Sequence, residues 1–311
     1  MASPGFNHPA FSQDPRAVQS YPGGAQAAQY STPTTPPAAG GLVQGGQFAH
    51  VGVDAAANAR MEGALAAPPA GAYETGRMTV EDTIWKTVGL FAFMLVFAVV
   101  GFFWTLAPAL SGGDITLAPW IIGLIGGGIL GLVNAFKKTP SVPLIFAYAG
   151  FEGLFVGGIS AYFEVLFPGI IMQATLATVS VVGVTLALFA SGKVRASARG
   201  AKILLIAMVG YLVFSLVNMV LMFTGALGDG AAWGLRSSVE IMGIPLGVII
   251  GVLVVFMAAY SLVLDFDQIQ QGVRNGVPRK FGWQAAFGIM VTVVWLYVEI
   301  LRMIAILRGN D

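Results

Sequence analysis

Seven apolar runs of about 20 residues each constrain this chain more than any other feature. They cover about 87–106, 117–136, 142–163, 169–190, 203–224, 243–264 and 284–307. At 1.5 Å per residue, each can cross a hydrocarbon core of roughly 30 Å as an α-helix. Lipid offers no partner for backbone polar groups, and a helix satisfies them within a single segment. Composition removes the soluble alternative. Only 10% of the residues are charged and 56% are hydrophobic, whereas soluble domains carry about 25% charge. The expected fold is an all-α polytopic membrane protein with about seven transmembrane helices, and the lipid bilayer is its expected surrounding. A net charge of +1 with no basic cluster gives no sign of a nucleic-acid partner. The chain has no cysteine, so disulfides and thiolate chemistry are excluded.

Residues 1–77 follow different rules. Pro, Gly, Ala, Gln and Ser dominate, as in Tyr21-Pro22-Gly23-Gly24 and Thr32-Pro33-Thr34-Thr35-Pro36-Pro37. Ordering such a stretch would bury too little to offset its entropy. It also lacks the basic start and apolar core of a signal peptide. The expectation is a disordered Pro/Gly/Ala-rich cytoplasmic tail ahead of a transmembrane domain at 78–311. Its Pro-rich part could dock a partner, with plain disorder the simpler reading. Thr79 and Asp82 have capping-box spacing, so order is expected to begin near Met78.

Lys and Arg collect in alternate connectors. The second carries Lys137 and Lys138, the fourth Lys193, Arg195, Arg199 and Lys202, and the sixth Arg274, Arg279 and Lys280. The first and third carry none, and the fifth has only Arg236. This bias places the N-terminus and the even connectors in the cytoplasm. Seven full crossings put the C-terminus outside, although Arg302 and Arg308 would favour a seventh segment that re-enters. Gly123, Gly127 and Gly131 recur every fourth residue, as do Gly243, Gly247 and Gly251, and Gly153 with Gly157. Such ridges let helices approach closely in lipid. Pro245, read as one turn into the sixth span, is expected to bend it.

A charge inside a bilayer is costly, so the carboxylates within apolar runs are the candidate functional groups. Glu152 falls deep in the third span and Glu299 deep in the seventh, while Asp265 and Asp267 close the sixth. Each has a bland reading. Asp267, and equally Asp265, could be solvated helix-end residues. Glu299 could form a neutral pair with Arg302 one turn on. Glu152 could be a protonated acid bonded to a neighbour. As a set, intramembrane acids fit a proton- or cation-responsive pathway better than catalysis, since a low dielectric favours the neutral carboxyl. The chain is expected not to be an enzyme. Its two histidines, His8 and His50, lie in the tail, and there is no H-E-x-x-H and no phosphate-binding G-x-x-x-x-G-K-[ST]. No cofactor is expected.

The chain resembles the bacterial branch of the Bax-inhibitor/YccA family over about residues 78–307. The resemblance rests on the order and spacing of five pieces: Met78-Thr79-Val80-Glu81-Asp82 with Lys86-Thr87; Phe151-Glu152-Gly153-Leu154-Phe155-Val156-Gly157; Gln173-Ala174; Leu264-Asp265-Phe266-Asp267-Gln268-Ile269; and Leu296-Tyr297-Val298-Glu299-Ile300. It implies six spans surrounding a central C-terminal helix, and a pH-sensitive calcium leak of the bacterial cytoplasmic membrane. Two acids, carried over as Asp265 and Glu299, would share a proton and meet the calcium ion. Where the family usually has Asp in the seventh helix, this chain has Glu, and its two acids stand farther apart in sequence. A seventh helix starting at Gln284 would put Glu299 about 20 Å deeper than Asp265, which leaves pairing of Glu299 with Glu152 as an alternative. The competing function is a non-transporting regulator that binds a membrane protease or another membrane protein. A proton-coupled transporter is a third option, disfavoured because no inverted repeat is visible.

Overall fold

Each apolar run becomes a helix, and several helices continue into the charged flanks, where Lys, Arg, Asp and Gln sustain helix as readily as the apolar residues do. The computed structural model describes residues 76–225 and 233–309. The expected tail at 1–77 therefore lies almost wholly outside the described residues. In chain order the helices are α1 (Val80–Leu110), α2 (Ala118–Phe136), α3 (Val142–Leu166), α4 (Ile170–Ala190), α5 (Ala198–Phe223), the one-turn α6 (Leu235–Ser238), α7 (Leu246–Arg274) and α8 (Phe281–Gly309). Seven of them are long and apolar enough to cross a membrane. The architecture is an all-α polytopic membrane fold.

The start of α1 follows the sequence in part. Thr79 Oγ1 accepts a hydrogen bond from the Asp82 amide at 3.0 Å, as an N-cap should. The return bond of a capping box is replaced, because the Asp82 carboxylate pairs with Lys86 and Arg279.

The sixth span departs from expectation at both ends. It begins at Leu246, after a small hairpin in which β1 (Glu240–Ile241) pairs with β2 (Ile244–Pro245). Met242 and Gly243 turn the hairpin with φ of 57° and 78°, the left-handed pair that a tight two-residue turn requires. Gly243 is thus a turn residue and no part of a helical ridge. Pro245 is the N-cap residue of α7, so the expected bend does not arise. At the other end α7 runs on to Arg274. Asp265 and Asp267 therefore sit inside a helix and do not close it.

Glycine sets the tightest packing. A Cβ on Gly157 of α3 would strike the carbonyl of Ala98 in α1, and one on Gly123 of α2 would fall 2.7 Å from the carbonyl oxygen of Phe151 in α3. α1, α3 and α2 consequently meet backbone against backbone, the contact that small residues permit in lipid.

The most buried span is α8, with 56% of its most apolar window inside the bundle, against 11% for α5. It packs mainly on α7, α1 and α4, while α2 packs chiefly on α3. One half of α8 contributes Ala286, Phe287, Met290 and Val294 to a core with Leu90, Met94, Ile145 and Ala149. The other half joins Leu296, Ile300, Leu301 and Ala305 to Ile159, Phe163, Ala174 and Ala258. Its first turn lies under the segment before α1, where Met78 N donates to Val277 O at 2.7 Å and Arg279 N to Gly76 O at 2.8 Å. Its last turn reaches the α3–α4 connector, where Arg308 Nη1 donates to Pro168 O at 3.0 Å. Over 29 residues, about 43 Å of helix, α8 runs from one face of the bundle to the other and does not re-enter.

Candidate functional site

Two buried carboxylates interrupt the apolar interior along α8, and they differ in their partners. Nearer its start, Asp265 of α7 is fully buried and accepts a hydrogen bond from Thr292 Oγ1 at 2.9 Å. The same hydroxyl lies 3.2 Å from the carbonyl oxygen of Gly288. A hydroxyl carries one proton and two acceptor lone pairs, so Thr292 can serve Asp265 in either state. An ionised carboxylate accepts from Thr292. A protonated one can donate to it, and the threonine proton then turns to Gly288.

Two turns farther along α8, Glu299 is 2% exposed. One carboxylate oxygen is ion-paired with Arg302, and the other accepts from Tyr211 of α5 at 2.8 Å. Arg302 Nη2 also donates to the Tyr211 hydroxyl at 2.8 Å. Arg236 enters from α6, donating through Nη2 to Ser215 Oγ at 2.9 Å and reaching the Tyr211 hydroxyl at 3.5 Å. Its guanidinium lies over the rings of Tyr211 and Phe214, 5.4 and 5.3 Å from their centroids. The Tyr211 hydroxyl is the hub where α5, α6 and α8 meet.

Asn218 fixes the entry of Arg236. Its side-chain oxygen accepts from Leu235 N at 2.7 Å, and its amide nitrogen donates to Trp233 O at 3.2 Å. That clamp orients α6 so that Arg236, only 4% exposed, points into the bundle.

The residues singled out from sequence are thus distributed over separate places. Asp265 and Glu299 face the α7–α8 and α5–α8 contacts respectively. Thr292, bonded to Asp265, precedes Glu299 by seven residues, about 10 Å along the axis, so the two acids are not within hydrogen-bond reach. The expected 20 Å shrinks because α7 continues for nine residues past Asp265, which carries that acid deeper as well. Glu152 belongs elsewhere. It stands one turn after Tyr148 on its own helix, and one of its oxygens lies 3.1 Å from where a Cβ on Gly127 of α2 would stand. It faces α2 while Glu299 faces α5, and the suggested pairing of Glu299 with Glu152 is not made. Asp267 accepts from Gln271 Nε2 at 2.6 Å on a partly exposed face of α7. Among the described residues, no three or more His, Cys, Asp or Glu side chains converge as a metal site.

Sequence reasoning missed Tyr211, Ser215, Asn218 and Arg236. A signal was present: the three α5 residues recur at i, i+4 and i+7 in an otherwise apolar span, which puts them on one face. The lone arginine of the fifth connector was read for topology only.

A family model described as Bax inhibitor 1 like matches residues 8–309 of the chain. The match begins about 70 residues before the resemblance read from motifs and takes in most of the N-terminal tail. No curated protein and no solved structure matches the chain.

Proposed function

The chain belongs to the Bax inhibitor 1 like family, and from that premise we propose that it is a pH-sensitive calcium leak channel of a bacterial cytoplasmic membrane. The observation that carries this reading is the Asp265–Thr292–Gly288 arrangement. It gives a buried carboxyl hydrogen bonding in both protonation states, so the acid can gain and lose a proton without stranding a polar group. Ionised, Asp265 presents a hard oxygen donor that suits calcium as the permeant ion. Protonated, it withdraws that charge and the path closes. Raising the pH on the side that reaches Asp265 therefore raises the flux.

Glu299 has a different part. Arg302 and Tyr211 already occupy its carboxylate, so the shared proton implied by the family resemblance requires Glu299 to leave them first. A Glu299 released toward Asp265 shares the proton that holds the path closed, and loss of that proton opens it. The distribution of Lys and Arg supports a cytoplasmic N-terminus, which puts Arg302 and Arg236 in the outer half. Nothing in this mechanism calls for catalysis.

Calcium flux into proteoliposomes tests the reading. The unmodified protein should leak calcium increasingly as pH rises, and Asp265→Asn should remove most of that pH dependence. Absence of flux at every pH defeats the channel and leaves the non-transporting regulator of a membrane protease or other membrane protein as the surviving class.

A further inference from the structure

We propose that Arg236, Arg302, Tyr211 and Ser215 form a binding site for one small monovalent anion, of the size of chloride, enclosed between α5, α6 and α8. The inference is independent of the leak reading and starts from a charge count. Among the described residues, two guanidinium groups meet a single carboxylate, Glu299, leaving one positive charge in excess there. Arg236 is 4% exposed, and a buried positive charge is costly without a counter-charge.

The hydrogen-bond count points to the same place. The Tyr211 hydroxyl gives its one proton to Glu299 and spends its lone pairs on Arg302 and Arg236. Ser215 Oγ takes a second bond from Arg236 Nη2. That leaves Arg236 Nη1 buried, with no acceptor among the described residues. The rings of Tyr211 and Phe214 attract the guanidinium, but a ring face does not supply the directed acceptor that an N–H requires. An anion against Nη1 supplies both the acceptor and the missing charge.

Size and sign narrow the ligand. The base of the Arg236 side chain is held against α7, with its Cβ and carbonyl oxygen each 3.0 Å from where a Cβ on Gly247 would stand. A single excess charge and one open N–H favour a monovalent anion over a phosphate. A divalent cation is repelled by the same two guanidiniums. The site thus gives Glu299 and its surroundings an anionic ligand where the family resemblance directs attention to calcium.

The test uses the full chain purified in detergent, with chloride exchanged for gluconate at constant ionic strength. Thermal stability should rise saturably with chloride, and bromide should saturably quench tryptophan fluorescence, because Trp295 stands 6.3 Å from Tyr211 between ring centroids. Arg236→Gln should abolish both responses. Arg236→Lys keeps the charge but loses the fork, and should weaken half-saturation by about tenfold, the equivalent of one charge-assisted hydrogen bond. Equal stability in chloride and gluconate, or an identical shift in Arg236→Gln, overturns the proposal. If Arg236→Gln does not fold, the bromide titration of the unmodified protein decides. Saturation supports the site, and strictly linear quenching overturns it.

Discussion

α3 and α5 join the bundle by opposite means. α3 offers bare backbone: Gly153 and Gly157 lie against α1, and α2 answers with Gly123. α5 is almost entirely turned outward, with Leu204 and Asn218 its only buried residues. It is held by Leu204 against α7 and by the polar stripe of Tyr211, Ser215 and Asn218. The first kind of contact is dense and indifferent to charge. The second consists of a few directed bonds that can be exchanged. In lipid, close packing is the more uniform source of cohesion between helices. A helix held in part by exchangeable bonds is, under the proposed function, the one placed to move when a proton or an ion changes the charge at Glu299.

The largest expected effect comes from breaking the dense side. Gly157→Leu drives a side chain into the Ala98 carbonyl of α1 and should cost about 3 kcal/mol or more, since neither backbone can yield. Loss of the folded monodisperse species in detergent would register it, and a wild-type melting temperature would refute the tight α1–α3 contact. Next comes the polar side. Asn218→Ala removes the acceptor of Leu235 N and one donor to Trp233 O, for about 2 kcal/mol. It should also loosen Arg236 and blunt the chloride response, while spectra of the α1–α3 region stay unchanged. The smallest effect is a control with the opposite sign. A Cβ on Gly183 of α4 meets nothing within 4 Å, so Gly183→Ala should stabilise by up to about 0.5–1 kcal/mol through helix propensity alone. A loss there would mean that glycine matters in this bundle for reasons other than close approach.

The spans were legible because hydrocarbon thickness fixes a length and apolarity that no other soluble or fibrous element shares. Their ends were not. α1 begins seven residues earlier than the apolar run, and α7 ends ten residues later, because a charged flank ends a membrane span without ending a helix. Gly243 shows the limit of periodicity. It keeps the fourth-residue spacing with Gly247, yet it belongs to a turn whose left-handed φ only the backbone reveals.

The candidate site divides along the same line. A pair three residues apart on one helix, Glu299 with Arg302, can be written down from sequence because helical geometry sets the distance. Position within apolar runs also marked Glu152, Asp265 and Glu299 as costly charges. Sequence alone therefore determined that this chain crosses a membrane about seven times and carries acids inside it, since both follow from the chain's own apolarity. Only tertiary structure decided what those acids meet. Tyr211 is 88 residues from Glu299, and Thr292 is 27 from Asp265. Contacts at such separations depend on how helices lie side by side, which no local pattern encodes.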